Sequence, residues 1–335
     1  MKRTPLMHRH VELLVSNQFN RSIQAPVATY KSCHSLNRER LHLKRYTSTY
    51  YSIWFTIPAL ILFSIFFIIP NIANLGLGFT DWSIFYFDDI HFIGLQNFQR
   101  LFTEPVFWKA IQNTFYFAVI TVLGKNVIGF ILALLVQRQT RFNYVNRAII
   151  FLPITISPLV LAIIFLSIYN PTNGLLNAFL DVLHLGNLKQ DWLFDPRFSL
   201  TSISIMEIWQ QTGFSMAIFI AGLQSIPKDF YDAANIDGAT TIQQIRYITV
   251  PLIIQSINVT LMLSIISGIK VFAQVYGTTN GGPADQTQVL STFLYKSFGN
   301  GYLGYSSAVG LFTTLLIMLL TFGIVGYLRT KEIEL

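Results

Sequence analysis

Ser225-Ile-Pro-Lys-Asp-Phe-Tyr-Asp-Ala-Ala-Asn-Ile-Asp-Gly-Ala-Thr-Thr-Ile-Gln-Gln-Ile-Arg-Tyr-Ile-Thr-Val-Pro251 lies between two long apolar runs, near Ile203 to Leu223 and Leu252 to Val275. It is too long for a tight turn and too polar to continue either run. Pro227 and Asp229 suit the first turn of a short helix, where a missing N–H and a negative charge are both tolerated. Ala233 and Ala234 keep one face of that helix low enough for another surface to approach closely. Gly238 allows the backbone to reverse after it. Ile242, Ile245 and Ile248 then make a second short amphipathic piece before Pro251. The spacing therefore predicts two helical pieces lying along a membrane face.

Outward from this segment, the chain reads as an all-α membrane protein. Of 335 residues, 52% are hydrophobic and 12% charged, against about 25% charged in soluble domains. About 20 apolar residues cross a hydrocarbon core as a helix, and six stretches reach that length. They lie near Ile53 to Leu75, Thr114 to Val136, Ala148 to Ile168, Ile203 to Leu223, Leu252 to Val275 and Ala308 to Leu328. Basic residues are retained on the cytoplasmic side. The N-terminal tail, the second-to-third and fourth-to-fifth connections and the C-terminal tail together hold sixteen Lys and Arg, the other connections five. Both termini and the 225–251 segment are thus expected on the cytoplasmic side. Residues 1–50 read as a basic, disordered cytoplasmic tail, with residues from an over-early start codon or an organelle transit peptide as the alternatives. Residues 51–328 form the transmembrane domain, and 329–335 a cytoplasmic tail.

Several chemistries are excluded. One cysteine (Cys33) and six scattered histidines leave no zinc spacing. The net charge of +7 is concentrated before Tyr46, so it does not indicate nucleic acid. Gly124-Lys125 is followed by Asn126 and lacks the upstream glycine of a phosphate-cradling loop. With no nucleophile turn either, the chain is not expected to be an enzyme.

Ionisable residues inside a span usually face the protein interior. Three occur: Lys125, Glu207 and Lys270. Glu207, Gln210 and Gln211 share a face of the fourth span with Phe214, a combination that suits a hydroxyl-rich ring with an apolar side. Ser264, Ser267 and Gly268 lie on the fifth, with Lys270 and Gln274 on a neighbouring face. Helix packing is the alternative for the small residues, and bonding to neighbouring helices for the glutamines. Depth counting predicts a Glu207–Lys270 pair, structural or gating, and leaves the partner of Lys125, nearer mid-span, unassigned. Pro153 and Pro158 should kink the third span. Trp82, Phe85, Tyr86, Phe87, Trp108 and Trp192 read mainly as interfacial belt residues, with contact to a binding protein as the alternative for some of them.

Asp232-Ala233-Ala234, three residues, Gly238, nine residues, then Ile248-Thr249-Val250-Pro251 resembles the "EAA, three, G, nine, I-x-L-P" signature of permease subunits in binding-protein-dependent ABC importers. Asp232 stands in place of the usual Glu and Val250 in place of Leu. Gly94-Leu-Gln-Asn-Phe-Gln-Arg-Leu-Phe, Trp209-Gln-Gln-Thr-Gly-Phe and Thr279-Asn-Gly-Gly-Pro-Ala-Asp-Gln-Thr are similar to the maltose-type carbohydrate branch. The resemblance implies a type I importer permease fold in the bacterial cytoplasmic membrane. It implies pairing with a second homologous permease, two ATPase subunits that carry ATP-Mg, and an extracytoplasmic solute-binding protein. By the same resemblance, Asp232, Ala233, Ala234 and Gly238 would contact the ATPase, while Ile248 and Pro251 would fix the segment to the fifth span. Glu207, Gln210, Gln211, Ser264 and Gly268 match pocket positions. An ion-coupled secondary transporter using Glu207, or a membrane scaffold recruiting a soluble protein, remain as alternatives.

Overall fold

The computed structural model describes residues 53–329, so the tail expected over 1–50 and residues 330–335 lie outside it. Among the described residues the regular structure is helical, with two isolated β-bridges, Thr80↔Phe92 and Ser83↔Tyr86. The described residues fall into two units that divide between Asn71 and Ile72.

Helix α1, Ile57–Leu77, is the first expected span. Apolar residues fill most of its length. It passes through one π-turn over Ser64–Ile68.

The second unit is organised around α3, Pro105–Val136. A short helix α2, Gln96–Thr103, precedes it. Along α3, residues Phe107, Ala110, Phe117, Thr121, Lys125, Gly129, Ala133 and Val136 are buried, a stripe at three- and four-residue spacing. Small residues in that stripe allow neighbouring backbones to come close. The neighbours are α7, Ser199–Gln224, and α10, Ile254–Ile269. The apolar core is layered along α3: Phe107 and Ala110 meet Phe293, Tyr305 and Ala308 near its start; Phe117 meets Ile203, Met206 and Val275 further on; Ala133 and Val136 meet Phe219, Leu223 and Ile253 at its end.

Two expected spans are broken. The third consists of α4, Arg141–Phe151, a 3-10 turn over Leu152–Thr155, and α5, Pro158–Ile168, with a bend of 98° between the halves. Pro153 and Pro158 remove donors on both sides of the bend, so the kink expected there is large. The fifth runs from α9, Thr241–Leu252, through a 71° bend into α10, and α10 ends at Ile269, short of the expected Val275. Helix α8, Asp229–Ile236, precedes α9. Short helices α6, Leu175–Val182, α11, Ala273–Thr278, and α12, Leu290–Gly299, occupy the connections. The last span is α13, Leu303–Arg329.

By length and composition alone, α1, α3 and α13 can each cross a membrane, and the two bent pairs raise that number to five. Helix α7 has the length, at 26 residues, but not the apolarity. Its buried residues include Ser202, Ser204, Glu207, Gln210, Thr212 and Ser215, which face other helices and not lipid.

Candidate functional site

The 225–251 segment folds as two helices joined at Gly238, whose φ of +73° lies in the region that favours glycine. Thr240 starts α9 with a capping box: its hydroxyl accepts from the Gln243 N–H, and the Gln243 side chain accepts from the Thr240 N–H. The two helices are tied to each other. Gln244 Nε2 donates to Asn235 Oδ1 at 2.7 Å, and the Tyr231 and Thr249 hydroxyls are bonded at 3.0 Å. Ile226 packs with Leu223 and Ile253 in the core layer at the end of α3, which anchors the segment to α7 and to the bend. Asp232, Ala233 and Gly238 are exposed, whereas Ala234 is buried within the chain. Ile248 and Pro251 are half-buried and sit at the approach to the 71° bend. Most unusual is the exposure of Ile236, at 87%, and Ile242, at 78%.

A second cluster lies between α3, α7 and α10. Lys125 Nζ stands 3.3 Å from Glu207 Oε1 and donates to Ser267 Oγ at 2.8 Å, while Gln274 Nε2 donates to Glu207 Oε2 at 2.5 Å. The Lys125 and Glu207 side chains are 2% and 3% exposed. Each charge is therefore compensated by the other and by a neutral hydrogen bond, as burial demands. This corrects the expected Glu207–Lys270 pair. Lys270 caps the C-terminus of α10 and is exposed, whereas α3 packs against both α7 and α10 and brings Lys125 to Glu207 first.

The expected pocket residues separate. Gln211, Phe214 and Ser264 line a cavity of about 200 Å³ with Lys125, Thr260 and Ser267. Gln210 points elsewhere: its Nε2 donates at 2.7 Å to the Ile156 carbonyl, which the bend in the third span has freed from helical bonding. Glu207 is held by Lys125 and Gln274 and does not line the cavity. Gly268 is a packing position, since a Cβ there would lie 3.0 Å from Ala118 Cα. Asn126, which donates to Ser264 Oγ at 3.1 Å, was not anticipated; an amide beside the unexplained Lys125 was its only signal. The arrangement offers hydroxyl, amide and ammonium groups beside an aromatic ring, which suits binding and not bond-breaking chemistry.

Residues 125–332 match the family described as "Binding-protein-dependent transport system inner membrane component". The chain is 36% identical over 283 residues to the probable ABC transporter permease protein YurN of Bacillus subtilis (strain 168), covering 84% of this chain and 96% of that one. It is 32% identical over 298 residues to the lactose transport system permease protein LacF of Rhizobium radiobacter, covering 88% and 98%. Among solved structures it is similar to a chain of a bacterial ABC transporter involved in the import of the acidic polysaccharide alginate. There the identity is 25%, the TM-score 0.72 and the coverage 88% of this chain and 99% of that one.

Proposed function

The chain belongs to the binding-protein-dependent transport system inner membrane components, and on that premise we propose that it is one of two permease subunits forming the pathway of an ATP-driven importer for a sugar or related solute. As a type I importer permease it is a membrane subunit and not an ATPase. ATP-Mg is bound and hydrolysed by two separate subunits, an extracytoplasmic binding protein delivers the solute, and both termini face the cytoplasm.

The observation that carries this reading is the surface of the 225–251 segment. A helix pair braced by Tyr231–Thr249 and Gln244–Asn235 bonds turns Ile236 and Ile242 outward. Isolated exposed isoleucines need no explanation, but two on a cross-braced, capped segment beside Asp232 and Ala233 make a firm apolar knob suited to a protein groove. Because the segment is anchored to α7 and to the bend before α10, a push on the knob moves the helices that line the 200 Å³ cavity. This is how closure of the ATPase pair would alternate access. The lactose permease subunit and the alginate importer among the similar proteins support a saccharide-type solute. The pairing of Glu207 with Lys125 disfavours an ion-coupled mechanism, since the carboxylate already has a fixed cation.

Reconstitution in proteoliposomes with the second permease, the ATPases and the binding protein tests the proposal. ATP hydrolysis should rise when solute-loaded binding protein is added, and uptake should stop when ATP is removed. Uptake that survives ATP depletion and collapses with the ion gradient would replace this reading with the ion-coupled one.

A further inference from the structure

Three of the expected belt residues do not lie scattered around the membrane surface. Trp82, Phe85 and Tyr86 come together with Tyr302 and Tyr305 around a cavity of about 730 Å³. That volume lies within the range of about 300–1,000 Å³ usual for small-molecule sites.

The walls are fixed by bonds that cross long stretches of sequence. Ser83 Oγ and the Ile84 N–H both donate to the Gly301 carbonyl, at 3.1 and 2.9 Å, and the Gly304 N–H donates to the Trp82 carbonyl at 2.8 Å. Asn97 Nδ2 donates to the Gly78 and Thr80 carbonyls at 3.0 and 2.8 Å, which fastens α2 to the same loop. The Arg100 guanidinium lies 5.2 Å from the Tyr302 ring centre and 4.7 Å from that of Tyr305, and the Tyr305 hydroxyl donates to the Glu104 carboxylate. The cavity is thus a formed feature and not a gap between loose loops.

Its lining combines two kinds of group. Phe85, Tyr86 and Tyr302 are exposed and offer ring surface. Gln96, Asp81 and Arg100 supply donors and acceptors around the same space. The lining holds one acid and one base, so neither an anionic nor a cationic ligand is favoured overall. A pyranose matches both parts: its C–H face stacks on an aromatic ring and its hydroxyls both donate and accept.

We infer that this cavity is a binding site for a neutral saccharide, separate from the 200 Å³ cavity beside Lys125. The inference rests on the proposed reading that the loop after α1 and the start of α13 face the side from which solute enters. Solute released there would have a holding site before it reaches the helices.

The test uses the full chain in lipid nanodiscs, titrated with maltopentaose, trehalose and lactose, with trigalacturonate as the anionic comparison, and read by saturation-transfer NMR. At least one neutral saccharide should bind. Tyr86→Ala and Gln96→Ala should each weaken it, and the pair should weaken it about tenfold or more, a loss of about 1.4 kcal/mol. Phe179→Ala, on α6 outside the cavity, should leave binding unchanged, and thermal midpoints of all variants should match the parent chain. Binding of none of the three neutral sugars, equal binding by the Tyr86 and Gln96 variants, or tighter binding of trigalacturonate would each overturn the inference. The same nanodisc chain, assembled with ATPases and binding protein, separates the two readings. Stimulated ATP hydrolysis without saccharide binding sinks only this site, whereas absent stimulation counts against the importer reading itself.

Discussion

Removing the ammonium of Lys125 leaves the Glu207 carboxylate buried with only Gln274 to bond it. Breaking one side of a buried pair costs about 3–5 kcal/mol, while neutralising both sides is far milder. Lys125→Met should therefore lower the denaturation midpoint in nanodiscs sharply, and Lys125→Met combined with Glu207→Gln should recover most of the loss. A purely additive double variant would show that the two charges do not act together. Lys270→Met should shift the midpoint little, since Lys270 is exposed, and surface changes usually stay within about 0.5 kcal/mol. Gly268→Ala places a methyl 3.0 Å from Ala118 Cα on α3. It should destabilise by about 1–3 kcal/mol, the usual range for overpacking, measured in the same assay. That charged residues would turn inward among the helices was legible from the sequence, and two of the three, Lys125 and Glu207, do so. Which of them pair was not legible, because depth along a span says nothing about which helix lies beside it.

Among elements, the bend of the third span depends on a side chain from another helix. Gln210 supplies the donor that the Ile156 carbonyl lacks after the helix breaks. Gln210→Ala should cost about 1–3 kcal/mol, the range for an unsatisfied buried acceptor, and should speed amide exchange across residues 152–158. Unchanged exchange there would mean that the prolines alone hold the bend. In the 225–251 segment, Tyr231→Phe removes the bond to Thr249. A loss of about 0.5–1.5 kcal/mol is expected, visible as faster exchange in α8 with membrane insertion unaltered. The two-helix form of this segment was readable because its signals are local: Pro227, Asp229, Gly238 and the Thr240 cap act within one or two turns. The inward turn of Ala234, in contrast, follows from packing that no short window contains.

At the scale of the whole molecule, α7 is the helix that hydropathy alone undervalues and packing makes central. It lies against α3, α10 and the bend of the third span, and carries polar groups toward all of them. Phe219 and Leu223 of α7 lie in the same core layer as Ile226, which gives the proposed push at α8 a packed route along α7 toward the 200 Å³ cavity. Replacing Ile236 and Ile242 together by Asp removes the apolar knob without touching that layer. The expected outcome is a chain that inserts and folds normally by circular dichroism but no longer co-purifies with the ATPases. Retained assembly would place the ATPase contact elsewhere on the surface.

The amino-acid sequence by itself determined the helical class and the paired helices of 225–251. Each depends on hydrophobic length, proline, glycine and capping within a few residues. Only the tertiary structure decided that Lys125 meets Glu207, that Gln211 faces the cavity while Gln210 serves the bend, and that Trp82 and Tyr302 share one pocket. The reason is geometric: which faces meet is set by bends of 98° and 71° and by the close approach of α3 to its neighbours. Those quantities depend on many distant residues acting together.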